Sequence, residues 1–269
     1  MSPPTETASR PRTLLARWYR AHGRHGLPWR HTRDRWEILV AEVMLHQTQV
    51  ARVTGTWAPF LARFPTPAAT AGASLGDVLR AWGRLGYPRR ARWLWLAARR
   101  VTDAGWPTDL TTLPGVGRYT AAAVVVQADD ADLPAVEVNI RRTLERFEGR
   151  RLPTREAEAA MVRVARPLRG RDRLLALMDL GALVCRPRRP HCAACPLRRR
   201  CRTRGPLDPD STRRAAPFEG SLRQRRGQVL ARLRTEGSVP VAGLDPDAVA
   251  GLEADGLVAR DGSRVRLPG

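Results

Sequence analysis

The chain confines all four of its cysteines, Cys185, Cys192, Cys195 and Cys201, to one short stretch with the spacing C-x6-C-x2-C-x5-C. Two disulfides or four unrelated thiols fit this poorly, because the opening Met1-Ser-Pro-Pro-Thr-Glu6 has neither the charged nor the apolar region of a secretory signal. Four thiolates converging from a short loop hold either Zn²⁺ or a [4Fe–4S] cluster. The x6/x2/x5 spacing is unlike the paired C-x2-C of zinc knuckles and favours the iron–sulfur cluster, in a structural role. Arg186, Arg188, Arg189, Arg198, Arg199 and Arg200 crowd the same segment and suit it to gripping phosphates.

Charge narrows the partner. The formal net charge is +21, and all 47 basic residues are arginine, since the sequence contains no lysine. Such an excess of guanidinium favours a polyanion, most simply nucleic acid. No side-chain amine is present to form a Schiff base. The 269 residues, 43% hydrophobic, suffice for one large domain or two smaller ones. No apolar run approaches the roughly 20 residues of a membrane span. A cytoplasmic, nucleoid-associated monomer with no membrane partner is expected.

From Arg12 to about Val184 the apolar residues keep helical spacing, as in Leu14, Leu15, Trp18 and Tyr19 or Val50, Val53, Trp57, Phe60 and Leu61. Ser74-Leu-Gly-Asp77 reads as a capping-box-like helix start. Alternating strand patterns are absent from this stretch, which predicts an all-α body of about ten helices. Residues 1–10 read as disordered and 205–220 as a linker. Residues 221–269 read as helix, helix and a β-hairpin turning at Asp261-Gly262, a winged-helix-like unit.

Three local patterns carry chemistry. Leu113-Pro-Gly-Val-Gly-Arg-Tyr-Thr120 lies between helical stretches. Gly115 and Gly117 allow close backbone approach, and the helix opening at Arg118 offers free N–H groups, a setting for phosphate. An ordinary turn is the plainer alternative. Glu42 is the lone polar residue in Ile38-Leu-Val-Ala-Glu-Val-Met-Leu45, so desolvation is expected to raise its pKa and prepare a general acid. His46-Gln-Thr-Gln49 follows, with polar groups placed to meet base edges. Glu137, within Leu133-Pro-Ala-Val-Glu-Val-Asn-Ile140, suits either a helix N-cap or an anion facing a developing positive charge. An acid for a departing base and an anion for an oxocarbenium sugar form the pair that N-glycosidic cleavage requires.

Taken with Leu27-Pro-Trp-Arg30, Gly83-Arg-Leu-Gly-Tyr87, Val138-Asn-Ile-Arg-Arg142 and Met178-Asp-Leu-Gly-Ala182, these motifs resemble the helix-hairpin-helix DNA glycosylase superfamily and, within it, the adenine DNA glycosylases. The resemblance spans about residues 11–204. It implies an all-α, two-lobed fold: a six-helix barrel over 28–133, and an iron–sulfur cluster lobe of 11–27 with 134–204, followed by the C-terminal unit. It implies that Glu42 protonates the base, with Tyr119 hydrogen-bonded beside the catalytic carboxylate and Asn139 holding neighbouring backbone or water. Glu137 occupies the position of the family's catalytic aspartate. Gln47 and Tyr87 would wedge into the base stack, Trp29 and Arg30 would line the base pocket, and Gly115, Gly117 and Arg118 would bind backbone phosphate, with His46 and Thr48 facing the bases. Core packing is the competing reading for Trp29 and Tyr87. The implied partner is double-stranded DNA carrying a mispair or lesion, by default adenine opposite 8-oxoguanine or guanine. Glycosylases for thymine or modified uracil opposite guanine, and a non-catalytic iron–sulfur DNA-binding protein, are the alternatives. Three departures stand out: Glu137 for aspartate, His46 for the motif's first glutamine, and a small winged-helix-like unit where many relatives carry a Nudix-like domain.

Overall fold

A computed structural model describes residues 13–207 and 217–269. The expected disordered N-terminus and most of the expected linker lie outside the described residues. The chain divides into two compact units, Met1–Gly26 with Val125–Thr212, and Leu27–Val124 with Arg213–Gly269.

The second unit is built on α2 (Arg35–Leu45), which Asp34 caps by accepting from the N–H groups of Trp36 and Glu37. Every residue from Ile38 to Met44 is buried, as expected of a helix without a polar face. Around it lie α3 (Val50–Arg63), α4 (Pro67–Ala71), α5 (Leu75–Trp82) and α6 (Arg89–Ala104). Ser74 caps α5 by accepting from the Asp77 N–H at 3.0 Å and donates to the Asp77 carboxylate at 2.8 Å. Tryptophans join the helices by both ring and N–H: Trp82 meets Phe60 edge-on, and the Trp36 and Trp57 indoles donate to the carbonyls of Phe64 and Glu37. α7 (Arg118–Asp129) begins here and runs across the boundary between the units.

The same unit contains α11 (Leu222–Glu236), α12 (Pro246–Ala254) and an open three-stranded antiparallel sheet. β1 (Ser238–Pro240) and β2 (Ala259–Asp261) flank β3 (Arg264–Arg266), with Val239 opposite Val265. The β2–β3 turn is the expected Asp-Gly, with Gly262 at φ +57°. β1, three residues long, was not legible in the sequence.

The first unit holds α1 (Leu14–His22), α8 (Val138–Glu148), α9 (Thr154–Val164) and α10 (Gly170–Asp179), which runs on as a π-helical turn through Leu180–Val184. Asp179, fully buried, accepts from the Arg24 backbone N–H and guanidinium at 2.8 and 2.7 Å, tying the segment before Gly26 to α10.

The helical helix-hairpin-helix body stands, but two parts of the expected fold are corrected. A closed six-helix barrel is not found among the described residues: α2 packs on α3 and α6, α5 on α3 and α6, and α4 on α6, and the sheet is open. Nor is there an iron–sulfur lobe. Among the described residues no group of three or more His, Cys, Asp or Glu side chains is arranged to hold a metal ion. Cys185, Cys192, Cys195 and Cys201 are free thiols. They border one cavity with Arg146, Pro190 and Arg198, and burial pushes the Cys195 thiol up to about 11. Arginine orders this segment instead. Arg142 donates to the Cys185 carbonyl at 2.8 Å, and Arg146 donates to the carbonyls of Arg186 and Pro187 at 2.7 and 2.6 Å. The described residues therefore do not bear out the expected [4Fe–4S] cofactor or a metal-ligand role for the four cysteines.

Candidate active site

The residues singled out in the sequence divide between the two units. In the second unit Glu42 sits on the penultimate turn of α2 and is 5% exposed, between Ala41 and Val43. α2 ends at Leu45, and the chain then reverses through Gln47, whose φ is +53°. Tyr87, at φ +47°, closes the loop between α5 and α6. A left-handed conformation costs a non-glycine residue about 1–3 kcal/mol and persists only where its surroundings impose it. Both side chains face solvent, Tyr87 at 43%. The two expected wedges are thus exposed residues on strained turns.

Arg90 imposes both turns. Its side chain is buried against Trp82 and Tyr87, with the guanidinium 5.5 and 5.1 Å from their ring centroids. It donates to the carbonyls of Val43 and Met44 at 2.9 and 3.0 Å, to the His46 carbonyl, to Thr48 Oγ1 at 2.9 Å and to the Gly86 carbonyl at 3.1 Å. One cation therefore satisfies the open carbonyls at the end of the helix that carries Glu42, and also fixes the turn of Gln47 and the loop of Tyr87. Burial lowers its pKa to about 10, which leaves it charged at neutral pH. The sequence reading missed Arg90. Its only signal is a place between Pro88 and the apolar run of α6, which is hidden in a chain where arginine is everywhere.

His46 and Thr48 hold structure. His46 Nε2 lies 3.0 Å from Thr120 Oγ1, on the buried face of α7. Burial first, and the Arg90 charge second, lower the His46 pKa below its usual value, so the ring is neutral at physiological pH. Trp29 is 4% exposed and edge-on to Trp57, as its packing reading has it, while Arg30 is half-buried in the turn Pro28–Arg30. Gly115 is required: its φ is +75°, and a Cβ there would stand 2.6 Å from Trp93 Cβ. Gly117 and Arg118 are exposed where α7 opens, with Tyr119 half-buried behind them.

In the first unit Glu137 is the N-cap of α8. Its oxygens accept from the Asn139 and Ile140 N–H groups at 2.8 and 2.9 Å, and from the Asn139 side-chain amide at 2.9 Å. Arg142 then donates to the Asn139 carbonyl oxygen of the side chain and to the Gly181 backbone carbonyl, each at 2.8 Å. Gly181 permits this: a Cβ there would lie 2.6 Å from the Asn139 backbone oxygen. The cap and anion readings of Glu137 are therefore compatible, since the N–H groups that cap the helix also hold a carboxylate in one orientation.

Comparison with known proteins places this arrangement. Residues 40–167 match the family described as HhH-GPD superfamily base excision DNA repair protein. An adenine DNA glycosylase of Mycolicibacterium smegmatis is 42% identical over 248 aligned positions, covering 87% of this chain and 84% of that protein. One from Mycobacterium tuberculosis is 42% identical, covering 96% and 93%. The chain belongs to the adenine DNA glycosylase family. A human adenine DNA glycosylase in the same family is 34% identical over 78% of this chain and 42% of its own length. Among solved structures, a thermostable thymine-DNA glycosylase superimposes with a TM-score of 0.64 at 27% identity, covering 71% of this chain and 93% of that one. An endonuclease III in complex with DNA, at a TM-score of 0.61 and 24% identity, shares the fold. No helix among the described residues is long and apolar enough to cross a membrane.

Proposed function

We propose that this chain removes adenine from duplex DNA in which it is paired with guanine or 8-oxoguanine, as a glycosylase without lyase activity. The observation that carries this reading is Glu42: a carboxyl buried in the otherwise apolar run Ile38–Leu45 of α2, beside a turn that pushes Gln47 into solvent. Burial among apolar neighbours works against charge, so the side chain can carry the proton that the leaving base needs. Unstacking the nucleotide costs a few kcal/mol, which Gln47 and Tyr87 offset by filling the gap. As the bond between the sugar carbon and the base nitrogen breaks, the base takes the Glu42 proton. Glu137 stabilises the positive sugar, and water adds to the sugar carbon while giving up its own proton. The exposed hairpin at Gly115, Gly117 and Arg118 holds the strand by its phosphates. With no lysine in the sequence, the reaction ends at the abasic site.

The test is a panel of duplexes containing A:8-oxoguanine, A:G and T:G pairs, each incubated with enzyme and then treated with alkali. Strand breaks in the two adenine duplexes, appearing only after alkali, are expected. Breaks confined to T:G would assign the site to thymine instead, and breaks without alkali would refute the monofunctional reading.

A further inference from the structure

Residues 217–269 resemble a DNA-reading module, yet many of their charges are paired with one another. On α11, Arg225 pairs with Asp245 at 2.8 Å, Arg226 with Asp255, and Arg232 with Glu236 at 3.0 Å. Arg234 donates to the Leu79 carbonyl at 3.2 Å. α12 with its two caps contains Asp245, Asp247, Glu253 and Asp255 and no arginine, the wrong sign for a helix entering a groove. On β2, Arg260 pairs with Glu253 at 2.9 Å.

What these residues touch is α5 and α6, the two helices that flank the Gly83–Pro88 loop. On α5 the Pro268 carbonyl accepts the Gly76 N–H at 2.8 Å, one of the donors that a helix leaves open at its start. A Cβ at Gly76 would stand 2.6 Å from that oxygen and 3.1 Å from Leu267 Cβ. On α6, Arg89 pairs with Asp255 at 3.2 Å, and Gly256, at φ +63°, leaves a Cβ position 2.9 Å from Arg92 Nε. Leu257 and Leu267 are buried. Resting on the function proposed above, we propose that the C-terminal residues form an intramolecular clamp that positions Tyr87, and so sets how strongly the enzyme discriminates between base pairs.

The test uses full-length Gly76→Ala, Tyr87→Ala and the double variant. Amide exchange of residues 83–90 is read in the free protein, and single-turnover rates are read on A:8-oxoguanine and A:G duplexes. Gly76→Ala is expected to speed loop exchange about tenfold as a local opening. It is also expected to shrink the ratio of the two rates toward that of Tyr87→Ala, with the double variant no worse than Tyr87→Ala alone. Faster exchange confined to residues 256–269, or additive losses in the double variant, would overturn the clamp. If Gly76→Ala does not fold, Asp255→Asn, which breaks the pair with Arg89, gives the same readouts. If the wild type releases base from neither duplex, the proposed function fails, and the exchange data alone decide the clamp.

Discussion

Replacing Arg90 with methionine keeps the apolar stem and removes the guanidinium. Five acceptors then lose their donor: the carbonyls of Val43, Met44, His46 and Gly86, and Thr48 Oγ1. Hydrogen bonds to a charged group are worth roughly 1.5–3 kcal/mol where the acceptor stays buried, and about 1 kcal/mol or less where water replaces the donor. Val43 and Met44 are buried, whereas His46 and Gly86 are partly or fully exposed. The sum is about 4–7 kcal/mol, offset by roughly 1–3 kcal/mol from no longer desolvating a cation, so a net loss of about 1–6 kcal/mol is expected. The upper end of that range is a large part of the roughly 5–15 kcal/mol typical of a folded domain. Arg90→Lys, which cannot reach both turns with one compact ammonium, should lose less but still loosen Gln47 and Tyr87. Urea unfolding of the three proteins measures this, together with binding to an A:8-oxoguanine duplex. A loss under about 1 kcal/mol for Arg90→Met would refute the claim that this residue imposes the two left-handed turns.

Other outcomes follow from the same geometry. The folded-state pKa of His46 lies below its ordinary value, so the unfolded chain binds the extra proton and stability falls as pH drops below about 6.5; thermal unfolding from pH 8 to pH 5 should show a smaller decline in His46→Gln, and equal declines would contradict it. Gly181→Ala forces a methyl against the Asn139 backbone and should cost roughly 1–3 kcal/mol of stability with base release reduced, read by denaturant midpoint and single-turnover rate. Glu137→Asp keeps a good N-cap, so unfolding should shift by less than about 0.5 kcal/mol while adenine release is maintained or rises; a fall of tenfold or more would show that the site is built around the longer acid.

Local chemistry was the most legible part of the sequence. Ser74 and Glu137 cap helices because short-range hydrogen bonding decides caps, and Asp261-Gly262 turns a hairpin because few pairs can. The burial of Glu42 followed from its neighbours alone. Arg90, Arg142 and Arg146 were not legible, because burial of an arginine depends on carbonyls that are distant in sequence. The cysteine spacing misled for a related reason: proximity along the chain does not fix how side chains converge, and here arginine-to-carbonyl hydrogen bonds order the segment. The short β1 strand carries too few residues for alternation to show.

The central claim is that Glu42 supplies the proton to the departing base. Glu42→Gln, compared with wild type on an A:8-oxoguanine duplex, separates binding from chemistry in one experiment. Retained affinity with base release reduced by at least about a thousandfold, the upper part of the range for a general acid, is the predicted result. Base release at the wild-type rate would contradict it.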